Sequence, residues 1–116
     1  MLKKRYIKTR KVAKITFELP KDELPEDIEV ENVHLVGEFN DWDPTATLMP
    51  RRRGGVYRVI VDLQPGQEYQ FRYLVNGEHW LNDWHADDYV PSGTGEDNCV
   101  VVTPTEGGVA ETVQKD

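Results

Sequence analysis

A chain of 116 residues has room for one ordinary core, and 38% hydrophobic against 30% charged residues is the usual balance of a globular domain. With no membrane-length apolar run, a net charge of −7 and a pI near 4.9, the composition excludes a membrane span and disfavours a nucleic-acid partner, whose phosphates the overall field repels. Cys99 is the single cysteine, so no intrachain disulfide can form, and the apolar run Cys99-Val100-Val101-Val102 suits a buried small hydrophobe better than a reactive thiol.

In chain order, residues 1–12 come first, crowded with Lys3, Lys4, Arg5, Lys8, Arg10 and Lys11, and Lys14 lies just beyond. They read as a solvated basic arm. No long apolar stretch follows to make this start a secretory signal, so a reducing cytoplasm is the expected address. Ile15, Phe17 and Leu19 then alternate with Lys14, Thr16 and Glu18, the pattern of a half-buried strand. Residues 20–32, rich in acid and proline, read as a solvated connection to a second short apolar strand, Val33-His34-Leu35-Val36-Gly37.

Three turn dipeptides follow at even spacing, Gly54-Gly55, Pro65-Gly66 and Asn76-Gly77, and bracket two strands. In residues 56–63, Tyr57, Val59, Val61 and Leu63 share one face. In residues 69–75, Tyr69, Phe71, Tyr73 and Val75 point inward while Gln70 and Arg72 point outward. Residues 98–103 read as a last strand, and residues 104–116, with Gly107-Gly108, as a flexible tail. Helical periodicity is absent, and about five to eight short strands predict an all-β sandwich of two packed sheets, immunoglobulin-like, over residues 13–103.

The passage Val33-His34-Leu35-Val36-Gly37-Glu38-Phe39-Asn40-Asp41-Trp42, the Pro65-Gly66 turn and the strand Phe71-Arg72-Tyr73-Leu74-Val75-Asn76-Gly77-Glu78-His79-Trp80 occur in order. Together they resemble carbohydrate-binding module family 48, the isoamylase amino-terminal or early-set domain, which is similar to the glycogen-binding domain of the AMP-activated protein kinase β subunit. The resemblance implies non-catalytic binding of an α-glucan such as glycogen, starch or maltooligosaccharides, targeting a partner enzyme to glucan. In that family two tryptophans stack on glucose rings, and these positions fall on Trp42 and Trp80. A basic hydrogen-bond donor falls on Arg72, and an asparagine near the last strand falls on Asp97-Asn98. Two departures stand out. The loop Ser92-Gly93-Thr94-Gly95-Glu96-Asp97 lacks the family's bulky apolar clamp, and His79 is an extra residue before Trp80.

The chemistry of these residue types agrees with that expectation. A sugar ring has a C–H face edged by hydroxyls, which calls for flat apolar platforms flanked by donors and acceptors. Trp42, in the polar turn Asn40-Asp41-Trp42-Asp43-Pro44, suits a surface platform better than a core position, and Trp80 follows a hairpin turn. Trp84 reads equally as a third platform or as packing. Arg72 can fork to two hydroxyls or be a solvated strand residue paired with an acid. Asn98 can bond a hydroxyl or cap the backbone.

Other readings are weaker. Asp41, Asp43, Asp83, Asp87, Asp88, Glu96 and Asp97 form a carboxylate-rich end, but glycoside hydrolysis needs two carboxylates across a deep cleft that so small a domain has no room for. No catalytic residue, cofactor or metal site is expected. There is no calcium-loop pattern among the acids and no zinc spacing among His34, His79 and His85. The remaining rival is a protein-interaction adaptor that has lost sugar binding.

Overall fold

Period-two alternation becomes strand pairing throughout the computed structural model, which describes residues 1–106. Among these residues eight strands form: β1 (Leu2–Ile7), β2 (Val12–Leu19), β3 (Val33–Gly37), β4 (Tyr57–Leu63), β5 (Glu68–Val75), β6 (His79–Leu81), β7 (Asp88–Pro91) and β8 (Asp97–Val102). One antiparallel sheet has the order β1-β2-β4. The other has the order β3-β5-β8-β7, with β6 also paired to β5. This is the all-β sandwich expected from the turns and alternation.

The inward-pointing residues of the two sheets meet in one core, with Ile15, Phe17 and Leu19 of β2 set against Leu35 of β3, Phe71 and Tyr73 of β5 and Val101 of β8. Phe71 packs edge-on against Phe17 with ring centroids 5.1 Å apart and against Tyr73 at 5.7 Å. Each such aromatic pair contributes about 0.5–1.5 kcal/mol beyond its buried area. Cys99 is fully buried here, as its apolar neighbours suggest.

The amino-terminal residues expected as a solvated arm instead supply an edge strand, with β1 pairing β2 from Leu2↔Phe17 to Ile7↔Val12. Leu2 packs on the core, and the alternation of Leu2, Lys4 and Tyr6 against Lys3, Arg5 and Ile7 is real but masked by charge. Lysines on an edge strand also discourage unwanted strand addition. The 20–32 connection is similarly less free than its composition suggests. Leu24 and Val30 pack on the core, and Asn76 Nδ2 donates to the Glu29 carbonyl at 2.9 Å. At the other end Thr103 and Pro104 are buried, with Thr103 Oγ1 donating to the Gln64 carbonyl at 2.7 Å. Residues 107–116 of the expected tail lie outside the described residues. No described helix is long and apolar enough to cross a membrane.

Candidate functional site

Alternation along β5 sends Phe71, Tyr73 and Val75 into the core, so Arg72 and Leu74 face out of the five-stranded sheet. Register fixes their neighbours. Val36 lies opposite Arg72, and Trp80 lies opposite Leu74. Asn98 follows one step beyond the Phe71↔Cys99 pair, which sets it beside Arg72 on the same outer face. Trp80 reaches this face through the Asn76-Gly77 turn, whose two residues have φ of 55° and 73° as a type I′ hairpin requires.

Trp42 arrives by a different route, and the Gly37-Glu38-Phe39-Asn40-Asp41-Trp42 motif explains how. A Cβ on Gly37 would stand 2.6 Å from the Gln70 carbonyl oxygen, so only glycine lets the chain leave β3 this close to β5. Phe39 anchors the turn inward, its ring 5.6 Å from Phe17 and 5.9 Å from Tyr69. Asn40 staples it: its Oδ1 accepts from the Gly37 N–H at 3.0 Å, and its Nδ2 donates to the Leu35 carbonyl at 2.9 Å. Asp41 and Trp42 then both take left-handed φ, 59° and 58°, with the Trp42 N–H donating to the Gly37 carbonyl at 2.8 Å. Asp43 closes the next turn by accepting from the Thr45 N–H and hydroxyl. Those two bonds, backbone first, hold its carboxyl below the ordinary 3.8.

The result is an indole held by its backbone and left 37% exposed, while Trp80 is 42% exposed. Trp42, Trp80, Arg72 and Asn98 line one shallow depression of about 630 Å³. Arg72 is fixed inside it. Its Nε donates to Asn82 Oδ1 at 2.8 Å, its Nη1 donates to Glu96 Oε1 at 2.7 Å, and its guanidinium sits 5.8 Å from the Trp80 ring centroid. Two of the five guanidinium N–H groups are thereby engaged, and three have no partner among the described residues. Asn98 Nδ2 donates to Gln70 Oε1 at 3.0 Å, so this side chain braces a neighbour across the strands rather than capping backbone.

Two expected residues fall elsewhere. Asp97 pairs with Pro91 at the start of β8, and Trp84, 72% exposed, projects from the β6–β7 connection, and neither lines the depression. Trp84 is turned out because Asp83 beside it is turned in. The buried Asp83 carboxylate accepts from Tyr73 Oη and from the His85 N–H, both at 2.7 Å, and also from the Met1 amino group. Burial first, and the charge of Asp83 second, push the Tyr73 phenol well above 10. The Cys99 Sγ accepts from the Asp83 N–H at 3.1 Å, and burial pushes its thiol up to about 11. Asp83, one of the acids of the carboxylate-rich end, is thus a structural hub under the sheet edge.

Sequence reasoning did not select Ser92, Thr94 and Glu96, which form the remaining wall of the depression. Their loop drew notice for its missing apolar clamp, and Glu96 as one acid of the carboxylate-rich end, although hydroxyls and a carboxylate are themselves sugar-hydroxyl partners. A smaller depression of about 370 Å³ lies between Lys21, Leu24 and Tyr57; no tryptophan lines it. Among the described residues no cluster of three or more His, Cys, Asp or Glu could hold a metal ion.

With this geometry in hand, two likenesses to known proteins are informative. Residues 27–105, more than half of the chain, match the family model described as the glycogen recognition site of AMP-activated protein kinase. A stretch of 53 residues is 36% identical to the 1,4-alpha-glucan branching enzyme GlgB of Salinibacter ruber, covering 45% of this chain and 8% of that enzyme. The chain therefore spans under a tenth of the length of that relative.

Proposed function

The chain belongs to the family of the glycogen recognition site of AMP-activated protein kinase, and from that membership we propose that it holds an α-glucan without acting on it chemically, on the depression lined by Trp42 and Trp80. The family description is of a recognition site, not of an enzyme. The observation that carries the reading is the pair of half-exposed indoles on one depression with Arg72 fixed beside them.

The physics follows from the sugar. The C–H face of a glucose ring lies on an indole, and ring edges carry hydroxyls that the free N–H groups of Arg72, the Asn98 carbonyl and the Glu96 carboxylate can meet. Stacking on aromatic platforms is worth about 1–3 kcal/mol per ring on the scale known for bases. Two platforms and a few hydrogen bonds then give a dissociation constant on the order of 1 µM to 1 mM for a short oligosaccharide. A polymer with many sites raises the apparent affinity. In the cell such a module would carry a partner enzyme of glucan metabolism to its substrate, in the cytoplasm.

Affinity electrophoresis in glycogen or amylose tests this. Wild type is expected to be retarded, and Trp42→Ala with Trp80→Ala is expected to migrate freely while keeping its thermal transition. A wild type that migrates unretarded would overturn the glucan reading and leave the adaptor reading in its place.

A further inference from the structure

The basic residues of the amino-terminal stretch have no part in the depression. β1 and β2 carry several of them on the outer face of the three-stranded sheet. Because that sheet and the five-stranded sheet pack by their inner faces, this outer face looks away from Trp42 and Trp80. Register lays the face out in rows. Lys3, Thr16 and Ile60 stand side by side, then Arg5, Lys14 and Asp62, with Glu18 beside Arg58 at the end.

The acids on this face are already engaged. Glu18 accepts from Arg58 Nε at 2.6 Å and lies 3.4 Å from Lys3 Nζ, while Asp62 pairs with Arg10 at 3.0 Å. Arg5 and Lys14 remain, directly opposite one another, with no ion-pair partner among the described residues. Like charges directly across a strand pair destabilise it. In the adjoining row Ile60 is 55% exposed, a large apolar side chain on an open sheet face.

We propose that this face docks an acidic protein segment that also carries apolar side chains, its carboxylates meeting Arg5 and Lys14 and its apolar residues covering Ile60. Charge complementarity selects the acid, since a carboxylate between Arg5 and Lys14 converts a repulsion into two attractions. Ile60 selects protein over a nucleic-acid duplex, whose bases are stacked inside and whose backbone presents charged phosphates to a flat face. The net charge of −7 adds to the case, because a long anionic polymer reaching past this face would meet the net negative field of the molecule. No residue is shared with the depression on the other sheet, so either site can fail without the other.

The test uses the full chain and a labelled short peptide alternating glutamate and leucine, followed by fluorescence anisotropy. Wild type is expected to bind, and Arg5→Glu is expected to weaken binding by about tenfold or more. Arg5→Glu also sets an acid opposite Lys14, so its thermal transition should hold or rise, which separates loss of the face from loss of the fold. Ile60→Ser should weaken binding by about threefold to tenfold, and both variants should keep wild-type retardation in glycogen gels. The proposal is overturned if wild type ignores the peptide or if the variants bind it equally well. A short DNA duplex or phosphatidylserine vesicles binding as tightly at equal salt would also overturn it, by giving the face to phosphate.

Discussion

Asn40 shows how one side chain can shape the depression without lining it. Its amide joins the Gly37 N–H, the Leu35 carbonyl and the Thr47 hydroxyl, and so holds the turn in which Asp41 and Trp42 both adopt left-handed φ. Replacing Asn40 by Ala removes all three bonds and leaves partly buried backbone groups unpartnered, which costs about 1–3 kcal/mol. Denaturant titration of Asn40→Ala should show that loss. Glycogen retardation should fall as well under conditions where the variant is still folded, because Trp42 is no longer held in place. A variant with wild-type retardation would mean that Trp42 is positioned by something else. Cys99 offers a simpler check at the same scale. With its thiol fully buried and raised to about 11, it should resist alkylation in the native protein and react at once after unfolding.

At the scale of strands, the pairing of β2 with β4 places Glu18 opposite Arg58 on the outer face, where its side chain is only 7% exposed. Burial pushes Glu18 up, but the hydrogen bond from Arg58 and the positive charges of Lys3 and Arg58 outweigh it, and the carboxyl titrates below its ordinary 4.5. A group whose folded value is lowered adds stability that is fully present above the unfolded value and disappears as pH falls through the folded one. Thermal melts taken from about pH 6 down to about pH 3 should therefore fall more steeply for wild type than for Glu18→Gln, which is less stable at neutral pH. Parallel curves would show that the pair contributes nothing to acid lability.

The same strands show what local pattern can and cannot reveal. The core positions of β2, β3, β4 and β5 were legible because alternation and the Gly54-Gly55, Pro65-Gly66 and Asn76-Gly77 turns are written within a few residues. β1 was hidden by lysines and arginines that look solvated yet alternate correctly. β6, with three residues, and β7, with an acid at one end and Pro91 at the other, are too short or too polar to register as strands. The depression divides similarly. Trp42, Arg72, Trp80 and Asn98 are positions that the family resemblance implies, since the residues alone leave Arg72 and Asn98 open to plainer roles, whereas Ser92, Thr94 and Glu96 join them only through the return of β7 into β8. Trp84 and Asp97 fall outside because the burial of Asp83 and the pairing of Asp97 with Pro91 are tertiary facts.

For the molecule as a whole, the two faces should answer salt differently, since the ligand proposed for one is a neutral polymer and that proposed for the other is a charged peptide. Neutral glucan releases no counterions on binding, and stacking on Trp42 and Trp80 depends on apolar contact that ions do not screen. The ion pair inside the depression, Arg72 to Glu96, lies between two groups of the same protein, so it adds no ionic contact to a neutral sugar. Raising salt from about 20 mM to about 500 mM shortens the screening length from roughly 20 Å to under 5 Å, which removes most long-range attraction between exposed charges. Glycogen retardation should then change by less than about twofold across that range, while binding of the glutamate-leucine peptide to the Arg5 and Lys14 face should fall by about tenfold or more. Retardation that collapsed with salt would mean that the polysaccharide is held through charge rather than on the two indoles, and the assignment of the depression would have to be given up.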